Sequence, residues 1–258
     1  MRGSGSFFLS FVLLLCMIGA ATISGGCGGV AQAQAVLNDS VKTMDGVTTA
    51  SMRIDTTSTI NGRTFTGSMN VDEVITEEVT KLHMYGTADG TPVEMYMIGQ
   101  STYMKVMGTW YISQVPSAPG ISQAGMGTID DVSNYLSAAS DPKITSEDSD
   151  SYTISYTVDN DSMLEAARRS PELAGRVERS ISDMGEISGT MSVKISKSTK
   201  YVIENTGTLR CTGGPMGNGT VTATSRLLSV NSPLTIDLPS AAGDASPVST
   251  PDLPPAGQ

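Results

Sequence analysis

The chain has 258 residues and a formal net charge of −10 at pH 7. Such an acidic chain repels the phosphates of nucleic acids, and no basic stripe reverses that charge locally, so we expect no nucleic-acid partner. The length suits one large domain, or a single all-β domain with extensions.

Residues 1–26 have the composition of an export signal, which we expect to be removed from the working protein. One positive charge at Arg2 precedes an apolar run from Phe7 to Ala21, and small residues follow up to Cys27. No later segment approaches the ~18 apolar residues of a membrane span. We therefore expect the remainder to lie on the extracytoplasmic side of the cell membrane.

Cys27 is the predicted site of lipid attachment. The stretch from Ile23 to Cys27 resembles the lipobox of secreted lipoproteins, although Ser24 stands where that motif usually has leucine. Residues 27–34, in which Gly28-Gly29 follows the cysteine, would form the lipid anchor and a flexible linker. The alternative is ordinary cleavage after Ala33 or Ala35, which would give a secreted protein without an anchor.

The first half of the domain predicts one helix and then a meander of strands. Residues 31–46 place Val36, Leu37, Val41 and Met44 on one helical stripe that ends at Gly46. Strands are predicted at Thr48–Ile60, Arg63–Val74 and Val79–Tyr85. Asn61-Gly62 and Asp89-Gly90 are turn sequences, so successive strands should pair as antiparallel neighbours.

The stretch from Val93 to Ile112 predicts a hairpin with two different faces. A turn at Gly99 pairs Ile98 with Ser101. In that register Val93, Met95 and Met97 face Val106, Met104 and Thr102, whereas Glu94, Tyr96, Tyr103 and Lys105 share the opposite face. Gly108-Thr109 then turns the chain toward Trp110, its only tryptophan.

The second half of the domain adds two helices and more strands. Pro116–Gly127 is a loop that could form a flap, Ile129–Ala139 predicts a helix, and Ser162–Met184 predicts another that Pro171 breaks or bends. Strands are predicted at 143–146, 151–158, 186–196, 200–211, 219–230 and 234–238. Two to three helices against one long sheet form an α+β fold, which we place at residues 35–240. Residues 241–258 are predicted to be a disordered tail, because the sequence from Pro239 onward is rich in Pro, Ser and Ala.

Methionine is the residue type that could carry a function. Of the 15 methionines, 13 remain after the export signal is removed, and their flexible thioethers suit a cavity for acyl chains. We predict that the ligand-binding side chains are Val93, Met95, Met97, Met104, Val106, Trp110 and Leu136. The alternative is that methionine fills an ordinary core, and that Trp110 is core packing as well.

Catalytic and metal sites are not predicted. His83 is the only histidine, lies in a strand pattern and is interpreted as a solvated side chain. The acidic stretches 147–150 and 159–161 lack the EF-hand spacing for Ca²⁺, so a polar turn and a helix cap account for them. Cys211 is predicted to be a half-buried free thiol, because a disulfide with Cys27 would require that cysteine to be unmodified. We expect no cofactor and no enzymatic activity.

Several segments together resemble the LolA/LppX-like lipoprotein superfamily. They are the Cys27 anchor, a helix before the strand at Ser51–Ile54, the hairpin Tyr103–Lys105 followed by Trp110-Tyr111, the helix near Leu136, and the closing segment Asn231–Pro239. The resemblance implies a strongly curved antiparallel half-barrel with helices covering its concave face. It also implies an apolar cavity, which in some members carries lipid or lipid-linked cargo.

Two functions follow as hypotheses. The first is a membrane-anchored lipoprotein that binds an apolar ligand, a lipid or lipid-linked cargo, in a cavity lined by methionine. The alternative is a non-catalytic surface module of the cell envelope, without a ligand, that contacts another envelope protein.

Overall fold

The structure is a computed structural model that describes residues 28–76, 78–99, 101–106, 108–114, 136, 139–169, 178, 181–215 and 217–247. The two longer helices in these ranges are α1 (Gly28–Met44) and α2 (Asn160–Arg169), and residues 136, 178 and 181–184 are also helical. The strands are β1 (Thr49–Ile60), β2 (Arg63–Ile75), β3 (Thr80–Ala88), β4 (Thr91–Ile98), β5 (Ser101–Val106), β6 (Thr109–Gln114), β7 (Ser140–Glu147), β8 (Ser151–Asp159), β9 (Gly185–Ser196), β10 (Val202–Gly213), β11 (Gly219–Val230) and β12 (Ser246–Pro247).

All twelve strands form one unclosed sheet, in the order β12-β6-β5-β4-β3-β2-β1-β11-β10-β9-β8-β7. Every pair is antiparallel except β12 with β6, which is parallel. The chain therefore builds outward in both directions from the central pair β1 and β11, which joins the two halves of the sequence. This large sheet with few helices confirms the predicted antiparallel architecture and is consistent with a curved half-barrel.

The hairpin turns form where the sequence supplies residues that accept a positive φ. Asn61-Gly62 has φ values of 50° and 77°, and Asp89-Gly90 has 48° and 74°, as a type I′ turn requires. Gly99 has φ 59°, and Ile98 pairs with Ser101 in the predicted register. These local turns set the alternation of side chains in the strands that follow them.

Alternation gives the sheet a core face and an outer face. The core face carries buried side chains such as Ile54, Met84 and Val193, and the outer face carries Arg53 and Lys194, among others. Nine methionines lie in the continuous hydrophobic core built on the core face: Met44, Met52, Met69, Met84, Met95, Met97, Met163, Met184 and Met191. One side of the sheet thus faces a core that is unusually rich in thioethers.

Helix α1 contributes one stripe of side chains to this core. Ala33, Leu37, Ser40 and Met44 are buried at intervals of three or four residues, which is the repeat of one helical face. The helix begins at Gly28, three residues before the predicted start, and ends two residues before Gly46. None of the helices in the described ranges is long and apolar enough to span a bilayer.

The second and third predicted helices are only partly described. Leu136 is helical and buried in the core, whereas the rest of 129–138 and the predicted flap at 116–127 lie outside the described residues. In the third segment, the described residues 160–169, 178 and 181–184 are helical. Pro171, the predicted break, lies outside the described residues.

The segment after β11 departs from the prediction. Residues 234–238 do not form the predicted strand, because they lie across the outer face of the sheet instead of pairing with a neighbouring strand. Ordered structure continues past residue 240, with a 3₁₀ turn at Ser240–Ala242 and then β12. We call residues 231–247 the C-terminal segment.

Candidate functional site

A row of methionines crosses the core face through neighbouring strands. Met52 on β1 pairs with Val71 on β2, which pairs with Met84 on β3, and the row continues through Met95 on β4 to Met104 on β5. Side chains directly opposite each other on adjacent strands have Cβ atoms roughly 5 Å apart, so Met84, Met95 and Met104 form a continuous run of thioethers, and Val71 separates this run from Met52. Thioethers adapt their shape at low cost, which suits contact with apolar groups of irregular outline.

The structure brings together most of the predicted ligand-binding residues. Met95, Met97 and Leu136 are buried members of one core, and Val93 packs against it. Met104 is half-buried at the end of the methionine row, and Val106 lies in β5 with a side chain outside the described residues. The register predicted for this hairpin is confirmed.

Trp110 lies on the other face of the sheet from these residues. Met104 pairs with Tyr111, and Lys105 pairs with Trp110, so alternation turns Trp110 toward the outer face. There it is 7% exposed and forms a small cluster with Tyr96, Ile236 and Ala242. Its burial in this cluster agrees with the alternative in which Trp110 is core packing, and it separates Trp110 from the methionines predicted to bind the ligand.

The outer face also holds a cluster around Glu94. Its carboxylate accepts hydrogen bonds from the Tyr96 hydroxyl at 3.3 Å and the Lys105 ammonium at 3.2 Å, and its Oε1 lies 3.7 Å from His83 Nε2. The Lys105 ammonium lies 5.4 Å from the centre of the Trp110 ring. The Glu94 carboxylate therefore lies at the centre of a group of side-chain contacts that links β3, β4, β5 and β6.

His83 is not the solvated side chain that the sequence suggested. Its ring stacks between Tyr96, at a centroid distance of 4.1 Å, and Tyr85, at 4.7 Å, and only 21% of the side chain is exposed. Burial lowers the pKa of His83 below its ordinary value, against the opposing effect of Glu94. Its position in a stacked aromatic cluster indicates a packing role.

The two acidic stretches form local structure, as predicted. The Asp148 carboxylate accepts hydrogen bonds from the backbone N–H groups of Asp150 and Ser151 and from the Ser151 hydroxyl, which lower its pKa to about 2. Asp159 accepts a hydrogen bond from the backbone N–H of Ser162 and so caps α2. Within the described ranges, no group of three or more side chains could hold a metal ion.

Cys211 is a free thiol and is buried, with 3% of the residue exposed, whereas half burial was expected. Its Sγ lies 3.7 Å from the sulfur of Met184, and burial raises the pKa of the thiol. A buried thiol with a raised pKa is a weak nucleophile. Cys27 lies outside the described residues.

Sequence reasoning missed a set of polar side chains on the core face. Thr56, Ser58, Asn205 and Ser225 are each at least nine-tenths buried there. In β10, every second residue points toward the core: Asn205, Gly207, Leu209 and Cys211. Counting back in steps of two from Cys211 would therefore have predicted that Asn205 faces the core. The Asn205 Oδ1 atom is buried and has no hydrogen-bond partner within the described part of the chain.

Comparison with known proteins identifies the fold. No protein-family model matches the chain, and no curated protein matches it. The lipoprotein LppX of Mycobacterium tuberculosis matches with a TM-score of 0.51 and 15% identity, over 80% of this chain and 99% of LppX. LprF of Mycobacterium bovis matches with a TM-score of 0.52 and 15% identity, over 82% of this chain and 98% of LprF. The chain therefore has the LolA/LppX-like fold that its sequence resembles.

Proposed function

We propose that this protein is an extracytoplasmic lipoprotein, attached to the membrane through Cys27, that binds a lipid or another apolar ligand. The predicted ligand-binding residues on the core face are Val93, Met95, Met97, Met104, Val106 and Leu136. Trp110 is left out of this proposal because it lies on the outer face. The structural similarity to LppX, which is itself a lipoprotein, supports the proposed extracytoplasmic location at the membrane.

The observation that carries the proposal is the methionine row. The alignment of Met84, Met95 and Met104 on three adjacent strands gives one surface on which every side chain can change shape. An ordinary sheet core is filled mainly by branched side chains with fixed rotamers, which specify one packing arrangement. A thioether surface instead tolerates guests of varied shape, as an acyl-chain site must.

The ligand is tested by native mass spectrometry of the protein isolated from its own cells without detergent. We expect a bound lipid that organic solvent releases. A matched pair of variants locates it: Met84→Leu with Met95→Leu changes the methionine row, and Met184→Leu changes a core methionine beside Cys211. Met-to-Leu exchanges conserve volume and cost less than about 1.5 kcal/mol each, so both variants should fold.

The first variant should carry less lipid, and the second should carry as much as the wild type. Empty wild-type protein that crosslinks to one reproducible envelope protein in intact cells would favour the surface-module function instead. Radioactive fatty acid should label the wild type and not Cys27→Ser. An unlabelled wild type would refute the anchor and leave the ligand test unaffected.

A further inference from the structure

A polar patch interrupts the apolar core face at the centre of the sheet. Asn205 on β10 lies directly opposite Ser225 on β11, and Thr56 on β1 lies diagonally beside Ser225, opposite Ala223. Their neighbours in the same rows are apolar, for example Ile54 beside Ser225 and Val193 beside Asn205. We call Thr56, Ser58, Asn205 and Ser225 the polar patch.

Two buried polar atoms in this core have no hydrogen-bond partner among the residues that the structure describes. Asn205 is 3% exposed and its Oδ1 accepts no hydrogen bond. Ser40, on the buried stripe of α1, is fully buried and its hydroxyl is also without a partner. A buried polar group without a hydrogen bond destabilises a fold, so native proteins nearly always satisfy such groups. Both atoms therefore indicate a missing hydrogen-bonding group.

The chemistry of the unpartnered amide oxygen defines that group. A carbonyl oxygen accepts hydrogen bonds and does not donate them, so its partner must carry an O–H or N–H. Among the described residues, no Lys, Arg or His is buried, and the one buried acid, Glu73, already has an interaction of its own. An anionic head group in this core would have no cation to balance it, and its desolvation would oppose binding.

We propose that the polar patch binds the hydroxyl or amide group of an uncharged amphiphile, with Asn205 Oδ1 as the acceptor. This inference rests on the proposed function and narrows its ligand to neutral lipids that carry a free donor. Acyl chains would extend over the methionine row, and the donor would lie at the polar patch. Anionic phospholipids and fully esterified glycerolipids are the classes that the site should disfavour.

The test compares two probes that differ in whether the third hydroxyl of the glycerol is free or acetylated. 1,2-Dioleoylglycerol has a free O–H, and 1,2-dioleoyl-3-acetylglycerol has none. Delipidated full-length protein is titrated with each probe in competition with a fluorescent fatty-acyl ligand. One neutral hydrogen bond corresponds to about a 3- to 10-fold preference for dioleoylglycerol.

Two variants of adjacent residues on β10 localise the effect. Asn205→Leu keeps the size of the side chain and removes the acceptor, so it should bind both probes equally and retain affinity for the acetylated one. Thr206→Val changes the next residue, whose hydroxyl bonds to Thr224 on the outer face at 3.3 Å, and should keep the preference. The wild-type comparison needs neither variant, so it decides the question even if one of them misfolds.

The outcomes separate this inference from the proposed function. Equal binding of both probes by the wild type would overturn the polar anchor and leave apolar binding standing. Failure of both probes to displace the fluorescent ligand, together with empty protein in native spectra, would overturn both. Dioleoylphosphatidylglycerol that binds as tightly as dioleoylglycerol would overturn the choice of an uncharged ligand.

Discussion

Replacement of Ile236 by alanine should release the C-terminal segment from the outer face. Ile236 is buried against Tyr96 and Trp110, and its carbonyl oxygen accepts a hydrogen bond from the Lys81 ammonium at 3.4 Å. A buried Ile→Ala change costs about 2–5 kcal/mol. The cluster has four buried members and can partly collapse, so we take the low end, about 2 kcal/mol. The population of the released segment should then rise about 30-fold.

The single tryptophan reports this release directly. Trp110 is buried beneath the segment in the wild type, so its emission should be blue-shifted and poorly quenched by acrylamide. Ile236→Ala should quench more readily, with a shift of the emission to the red. The control is Ile195→Ala on β9, a fully buried isoleucine that belongs to the main core and not to the Trp110 cluster.

The control should unfold at lower urea and leave the quenching of the folded protein unchanged. If Ile236→Ala loses stability but its tryptophan quenches as in the wild type, then the segment does not shield Trp110 and our reasoning is refuted.

Three further predictions concern the sheet and its titratable groups. Gly86→Ala would place a Cβ 2.0 Å from the backbone oxygen of Ser68, so urea unfolding should show a loss of about 3 kcal/mol or more, whereas Gly29→Ala, with open space around it, should cost little. The folded-state pKa of His83 is lowered, so the folded state binds that proton more weakly than the unfolded state does. The thermal midpoint of the wild type should therefore fall as the pH drops below 6.5, and the thermal midpoint of His83→Phe should fall less. An unchanged slope would contradict this. The pKa of Asp148 is lowered to about 2, so the stabilising effect of its carboxylate, complete above about pH 4, is lost as the pH falls toward 2. Asp148→Asn should therefore show a shallower acid transition in circular dichroism than the wild type. Equal transitions would argue against this role of Asp148.

The hairpins could be predicted because their determinants are local. Asn61-Gly62 and Asp89-Gly90 accept positive φ at both central positions, and such turns fix the register of the strands on either side. The pairing of Met95 with Met104 followed from the turn at Gly99 in the same way. Neighbouring residues in the chain were enough to decide these features.

The C-terminal segment could not be predicted because its structure depends on distant residues. Its Pro-, Ser- and Ala-rich composition is typical of disorder, whereas contacts with residues far away in the chain order it, such as the burial of Ile236 against Trp110 and the pairing of Ser246 with β6. Asn205 is a different case, because alternation along β10 could have placed it on the core face, but the sequence does not show the hydrogen bonds of its amide. It becomes informative once the register shows that its oxygen lies in the core without a partner.

The short pairing of Ser246 and Pro247 with β6 should protect the border of the sheet from other chains. A strand at the border of a sheet offers unpaired backbone groups to any other chain, which is a common start of aggregation. Here β12 occupies that border alongside Tyr111 and Ile112. A protein shortened before Ser246 should therefore self-associate through β6 in spite of its acidic charge, so we expect its solubility during expression and storage to depend on Ser246 and Pro247.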